Sequence, residues 1–205
     1  MGPFDDARSI FLKFQEKIEP EAVAEIEEVL EKFHASYDTA IGENRFLVGG
    51  VVEYVLCAAF NSIDDFVATH LKVARYDMQV HDRKTGKRVR YSAKSNFVKG
   101  GTINLINVRD EDPEAKWREA TIFALSEIGI VYADPAFRLH PWRAPDAVQI
   151  AVEEIIRHAQ RNRKFVVPAK IPHKMKSDPS RQKTASEDVA RSLLKDCRKL
   201  RLDKV

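Results

Sequence analysis

The segment Lys72–Ser95 reads KVARYDMQVHDRKTGKRVRYSAKS, and polar and apolar residues alternate through both of its halves. Val73, Arg75, Asp77 and Gln79 fall on one side, with Ala74, Tyr76, Met78 and Val80 on the other. Beyond the centre, Arg88, Arg90, Ser92 and Lys94 alternate with Val89, Tyr91 and Ala93. A period of two places successive side chains on opposite faces of a sheet, so both halves are predicted strands with one buried face. Gly86, in Lys84-Thr85-Gly86-Lys87, supplies the positive φ that a tight hairpin needs. A two-residue loop at Thr85-Gly86 sets Lys84 against Lys87 and, counting back, Gln79 against Ser92 and Asp77 against Lys94. A three-residue loop with a bulge at Gly86 would set Asp77 against Ala93. Facing residues share a side of the sheet, so the polar pattern selects the first register. Asp82 falls beside the turn and reads as a solvated turn residue.

A carboxylate and a lysine brought together on a strand face suit metal-dependent phosphodiester cleavage. That reaction requires an activated water, a Lewis acid on the phosphoryl oxygens and neutralisation of the charge that develops in the transition state. Mg²⁺ takes one or two carboxylates and fills its remaining positions with water and phosphate oxygens, so a firmly placed Asp77 is a sensible anchor. Lys94 would orient the water and stabilise the developing charge.

Asp77, a gap of fourteen residues, then Ser92-Ala93-Lys94 resembles the PD-(D/E)XK nuclease superfamily, in the branch where serine stands two residues before the lysine. Tyr76, where proline is usual, is a departure from that pattern. The resemblance covers about Arg45 to Pro135. It implies an α/β restriction-endonuclease-like fold, with a central mixed β-sheet flanked by helices. It also implies a Mg²⁺ cofactor, double-stranded DNA as substrate and a homodimer that cuts both strands, as type II restriction endonucleases do. In serine-bearing members the missing carboxylate comes from a following segment. Glu111, Glu114 and Glu119 are the candidates here, with Glu111 taken as the metal ligand. Ser92 completes the motif as a small residue, since no histidine is placed to serve it as a base.

The family commonly places a glutamate on the helix before the catalytic strands. Here Glu53 interrupts an otherwise apolar stretch from Phe46 to Phe60. Burying an unpaired carboxylate there would cost several kcal/mol, so a partner is expected: a metal, or a cation such as Arg45 or Arg75. The expected catalytic set is therefore Asp77, Lys94, Glu53 and Ser92, with Asp77, Glu53 and Glu111 as metal ligands. Arg88, Arg90, Lys99, Arg109, Lys116 and Arg118 are candidate phosphate contacts.

Composition sets outer bounds. The 205 residues are 44% hydrophobic, enough for one well-buried core. Net charge is only +3, but from Arg161 onward fourteen Lys and Arg stand against five Asp and Glu, leaving a net acidic body ahead of a basic end. Such an end suits phosphates or an acidic surface of another subunit. Cys57 and Cys197 lie in no metal-binding spacing and read as reduced thiols. No apolar leader or membrane-length run is present, and the expectation is a cytoplasmic protein without a membrane partner. No Walker loop or Rossmann glycine pattern appears, so no nucleotide cofactor is expected.

Three segments follow: a helical arm over 1–44, a nuclease core over 45–168 and a basic C-terminal arm with a helix over 169–205. The arm comprises helices over 5–18 and 20–40, closed by Gly42, which embrace DNA, support dimerisation or pack as a bundle on the core. A helix over 46–62 precedes the hairpin. Thr102–Val108 reads as a strand. Residues 114–128 suit a helix through Trp117, Ala120, Ala124 and Leu125, with a buried strand over Thr121–Leu125 as the alternative; the helix is the expectation. Gly129–Ala133 is a short apolar strand, and Pro145–Asn162 an amphipathic helix. Lys164–Val167 is a last edge strand, Lys170–Ser186 a loop or extended arm, and Val189–Leu202 a basic helix. Trp142 sits in a loop, where it anchors packing or stacks on DNA. Two other activities remain open to the same fold: a non-catalytic DNA-binding or assembly protein, and a nuclease for branched or damaged DNA.

Overall fold

The alternation in Lys72–Ser95 does produce antiparallel strands, but a tight turn cuts the first half in two. A computed structural model describes residues 2–36, 44–108, 114–126, 128–173 and 186–202, with backbone only for 44–47. The expected helix end at Gly42, Arg109, Glu111 and most of the basic loop after Lys170 lie outside the described residues. Strand β1 (Phe66–Val73) turns through Ala74 and Arg75 into β2 (Tyr76–Asp82), with Val73 opposite Tyr76 and Arg75 in the left-handed region at φ 75°. Sequence reading missed β1 and ran its end into β2.

The second turn corrects the register. β2 pairs with β3 (Arg88–Asn96) through Met78 opposite Tyr91 and His81 opposite Arg88. The loop is Arg83–Gly86, closed by the Asp82 N–H on the Lys87 carbonyl at 2.9 Å, with Gly86 at φ 71°. A four-residue loop slips the pairing by two, and a slip of two leaves every side chain on its expected face. Nor is Asp82 solvated: it is 2% exposed and ion-paired to Lys13 Nζ at 2.9 Å, and it accepts the Lys84 N–H at 2.9 Å.

The chain is mixed α/β, with a multi-strand mixed sheet flanked by helices. Three helices come first: α1 (Asp5–Lys17), α2 (Pro20–Ser36) and α3 (Asn44–Asn61). After β3 come β4 (Thr102–Asn107), β5 (Thr121–Leu125), β6 (Gly129–Ala133), β7 (Trp142–Arg143) and β8 (Ala147–Ala151). Helix α4 (Val152–Arg161), strand β9 (Val166–Pro168) and α5 (Ser186–Leu194) complete the order. The main sheet runs β1-β2-β3-β5-β6-β9, with β3 and β5 parallel, and a small antiparallel sheet runs β4-β8-β7.

Three other expectations change. β5 replaces the helix expected over 114–128: all five of its residues are buried, and a short run apolar on both faces carries no period to tell strand from helix. The expected 145–162 helix begins as β8 and turns helical only at Val152, because Val148 and Ile150 are taken up by pairing with β4. The last helix ends at Leu194 rather than at 202.

Two cores lie on opposite faces of the main sheet, sorted by the strand alternation. Ile122 and Ala124 face α1, α2, α3 and α5, while Phe123 and Leu125 face β4, β8 and α4. The N-terminal helices are thus packed on the core. The Tyr91 hydroxyl donates to the Ala7 carbonyl at 2.8 Å, the rings of Phe14 and Phe60 stack at 4.1 Å, and Arg8 forks onto buried Asp134 at 2.7 and 2.8 Å. Each fully buried phenylalanine contributes roughly 2–3 kcal/mol.

Two glycines separate strain from crowding. Gly129 sits at φ 110°, where an added Cβ would press on the Val167 carbonyl and lie 2.5 Å from the Ala169 nitrogen; Gly86 at φ 71° has open space. Gly129→Ala should cost about 3 kcal/mol by disrupting the β6–β9 pairing, against about 1 kcal/mol for Gly86→Ala, as read from urea midpoints. Asp65 and Asp82 give a pH test. The hydrogen bonds from Lys17 and Lys84 hold Asp65 well below the usual carboxylate range. Burial alone would raise Asp82, but Lys13 and the backbone of Lys84 and Thr85 outweigh it and lower it. Folded values below unfolded ones add stability that is full above about pH 5 and drains as the pH falls through 4 and lower. Lys13→Met should therefore lower the urea midpoint at pH 7 and flatten its fall between pH 5 and 3.

Candidate active site

β3 is offset between its neighbours. Its residues Arg88–Tyr91 pair with β2 along one edge, and Ser92–Asn96 pair with β5 along the other. The β2 ladder stops at Met78–Tyr91, so beyond that point the β2-facing edge of β3 has lost its backbone partner. The Asp77 side chain fills the gap. Its Oδ2 accepts the Ala93 N–H at 2.7 Å and the Ser92 hydroxyl at 3.0 Å, and Lys94 Nζ stands 3.8 Å away. The carboxylate therefore sits in the wedge where the two strands part.

Glu53 approaches from α3, the helix that packs against β1, β2 and β3. Arg45 has no described side chain, and in place of Arg75 the carboxylate meets His70 on β1, whose Nε2 lies 2.7 Å from Glu53 Oε2. His70 is stacked on Tyr54 at 4.3 Å, and the Tyr54 hydroxyl donates to Glu187 on α5 at 3.0 Å. The His70 Nδ1 is buried without a hydrogen-bond partner among the described residues. Sequence reading missed His70. Its signal lay in β1, where Phe66, Ala68 and His70 alternate along the buried face and only the last is polar.

Electrostatics tie the two carboxylates together. Burial pushes the Glu53 carboxyl up, the negative charge of Asp77 pushes it further, and His70 and Lys94 only partly offset this. The same two acids, with burial as the main cause, push the Cys57 thiol up, which leaves it an inert core residue. The Glu53, Asp77 and Lys94 side chains keep 20%, 23% and 26% of their surface, so a substrate can reach a site that is otherwise desolvated.

The structure brings Asp77, Ser92 and Lys94 into contact and places Glu53 within their electrostatic reach. Ser92 is 5% exposed and its hydroxyl is spent on Asp77, so it positions that carboxylate. Glu119, also 5% exposed, accepts the Arg118 N–H at 3.0 Å just before β5, while Glu114 is on the surface. Arg88, Arg90, Lys99, Lys116 and Arg118 are all exposed. Arg90 lies over the Tyr76 ring at 5.9 Å and near Gln79 at 3.5 Å, on the strands that carry Asp77 and Ser92. Trp142 is 41% exposed on the edge strand β7.

Among the described residues, no group of three or more His, Cys, Asp or Glu stands ready to hold a metal ion. The described residues alone form no closed cage, but Mg²⁺ does not need one. Two carboxylates with incompletely offset charge, open to water, fit its preference for few protein ligands. No described helix is long and apolar enough to cross a membrane. No protein-family model, curated protein or solved structure matches the chain.

A raised Glu53 carboxyl means that the folded protein holds its proton more tightly than the unfolded chain. The sign is then opposite to that of Asp65: stability is lost as the pH rises through the window above about 4.5. Glu53→Gln should raise the melting temperature of the metal-free protein at pH 8 and leave it little changed at pH 4. An unchanged melting temperature at pH 8 would mean that Glu53 carries no uncompensated charge.

Proposed function

We propose that the chain is a Mg²⁺-dependent endodeoxyribonuclease of the PD-(D/E)XK type that cuts double-stranded DNA at fixed sites, as a type II restriction endonuclease. The observation that carries this reading is the Asp77 carboxylate in the wedge between β2 and β3, 3.8 Å from Lys94 and charge-coupled to Glu53.

Asp77 and Glu53 would hold the metal, with Glu111 as the further carboxylate the resemblance implies. Bound Mg²⁺ supplies Lewis-acid polarisation of the scissile phosphate and eases deprotonation of water. The chain's own residues do the positioning. Ser92 and the Ala93 amide fix the Asp77 carboxylate, so no reorganisation is needed as charge develops. Lys94 holds the attacking water and donates toward the developing negative charge. His70 fixes the Glu53 carboxylate from the far side. Exposed Arg88, Arg90, Lys99, Lys116 and Arg118 would meet backbone phosphates, and base readout would fall to loops. A palindromic target would require a two-fold symmetric homodimer.

A second reading, a DNA-binding or assembly protein without cleavage, is favoured by two features. Ser92 stands where an acid would ligate, and the described residues offer no three-ligand group. One digestion separates the two readings. A phage genome is incubated with the purified protein in Mg²⁺ or EDTA, beside Asp77→Ala and Lys94→Ala. Discrete Mg²⁺-dependent fragments, with rates reduced by roughly 10²–10³-fold or more in both variants, are expected. A smear without bands points to a nuclease lacking a fixed site. An intact genome in every lane, with DNA still bound, sinks the nuclease reading.

A further inference from the structure

Past the end of β6 the chain makes a sharp and well-anchored turn. Asp134, fully buried, accepts the Arg8 guanidinium at 2.7 Å and the Tyr132 hydroxyl at 2.8 Å, and it also accepts the Ala136 N–H at 2.9 Å to cap the turn Pro135–Phe137. The turn ends at Arg138, which is held in the left-handed region at φ 55°. Few non-glycine residues adopt that backbone, and here the Asp134 anchor fixes it.

Arg138 lines a cavity of about 270 Å³ whose opposite wall is α4. Arg157 and Arg161, four residues apart and so on one helix face, line the same cavity. None of the three guanidinium groups has a carboxylate partner among the described residues. The one acid in the cavity wall, Glu154, is taken up by His140, accepting its backbone N–H at 2.6 Å and pairing with Nδ1 at 2.8 Å. His158 adds no charge: burial lowers its pKa, and Nε2 is bonded to the Tyr132 carbonyl at 3.0 Å.

Two like charges at i,i+4 disfavour a helix, and a third brought in from another element adds to the repulsion. The α4 C-terminus, which favours nearby cations, offsets part of that repulsion but supplies no hydrogen-bonding partner for the three guanidinium groups. Three forked donors around one concave space match a phosphate group, whose oxygens accept paired guanidinium bonds. We propose that the Arg138–Arg157–Arg161 cavity is a phosphate-binding site, filled by a phosphodiester of nucleic acid or by a free phosphoester. It does not depend on the nuclease reading, because none of its residues belongs to the Asp77 site.

The test is run in EDTA, so that cleavage plays no part. Binding of a short labelled duplex is followed by anisotropy across a salt series, and binding of pyrophosphate by calorimetry. The proteins are wild type, Arg157→Gln/Arg161→Gln, Arg138→Gln and the charge-matched control Lys32→Gln/Lys195→Gln. The double variant should bind the duplex about tenfold more weakly and lower the slope of log K against log salt by about two, one unit for each lost phosphate contact. Arg138→Gln should lower it by about one. All melting temperatures should stay near wild type, since the three arginines are exposed. Loss confined to pyrophosphate assigns the site to a free phosphoester. Equal loss in the control, or no loss with either probe, overturns the proposal.

Discussion

The rest of the structure depends on the offset of β3. Antiparallel pairing to β2 uses the first half of one edge, and parallel pairing to β5 uses the second half of the other. A parallel pair cannot be joined by a short turn, so the chain must leave the sheet after Asn96 and return at Thr121. That excursion carries β4, which pairs with β8 and builds the second layer. The layer buries Phe123, Leu125 and Val131 on the face that α3 does not reach. The same offset strips the β2-facing edge of β3 beyond Tyr91 of its backbone partner. Asp77 meets that need with a side chain, and a candidate site thus arises where the sheet comes apart.

Much of this was legible locally. The faces of β2 and β3 follow from alternation alone, and the association of Asp77 with Ser92 and Lys94 survived a wrong loop length because a slip of two preserves parity. Glu53 stood out because a carboxylate in an apolar helix needs a partner. What failed was whatever depends on distant chain. β5 is buried on both faces and so has no period. β8 runs into α4 through Val148, Val152 and Ile155, a spacing that suits one continuous helix until β4 claims the first part. Asp82 looked solvated because Lys13, which buries its charge, is 69 residues away. His70 was hidden with β1, whose end merges with β2 through Ala74 and Arg75 and no glycine.

Two acidic pairs lie against the sheet, and comparing them separates scaffolding from chemistry. Asp65 and Asp82 are met by three lysines: Lys17 at 2.6 Å, Lys84 at 2.9 Å and Lys13 on both acids at 3.1 and 2.9 Å. Both carboxyls are lowered, and the cluster ties α1 to the hairpin turn. Among the described residues, Asp77 and Glu53 have only Lys94, at 3.8 Å from one, and His70, at 2.7 Å from the other, as cationic partners. Here the balance has the other sign, and Glu53 is raised. A fold that neutralises one pair so fully at the hairpin end leaves the other short of positive charge where β2 and β3 diverge. Such an arrangement costs stability in isolation and is offset when a cation arrives.

The arginine cavity shows the complementary imbalance. At Asp77 and Glu53 negative charge exceeds its local partners, and at Arg138, Arg157 and Arg161 positive charge does. Neither imbalance follows from the fold, since exposed arginines and a helix-borne glutamate are replaceable without touching either core. The Arg8–Asp134 fork shows how this protein treats an arginine that serves only to hold the structure: two hydrogen bonds to one buried carboxylate. Arg138 is four residues further on, carried on a backbone that the same Asp134 anchors, and has no such partner among the described residues. An unpaired guanidinium so close to a fully paired one argues that the pairing was left for a phosphate to complete.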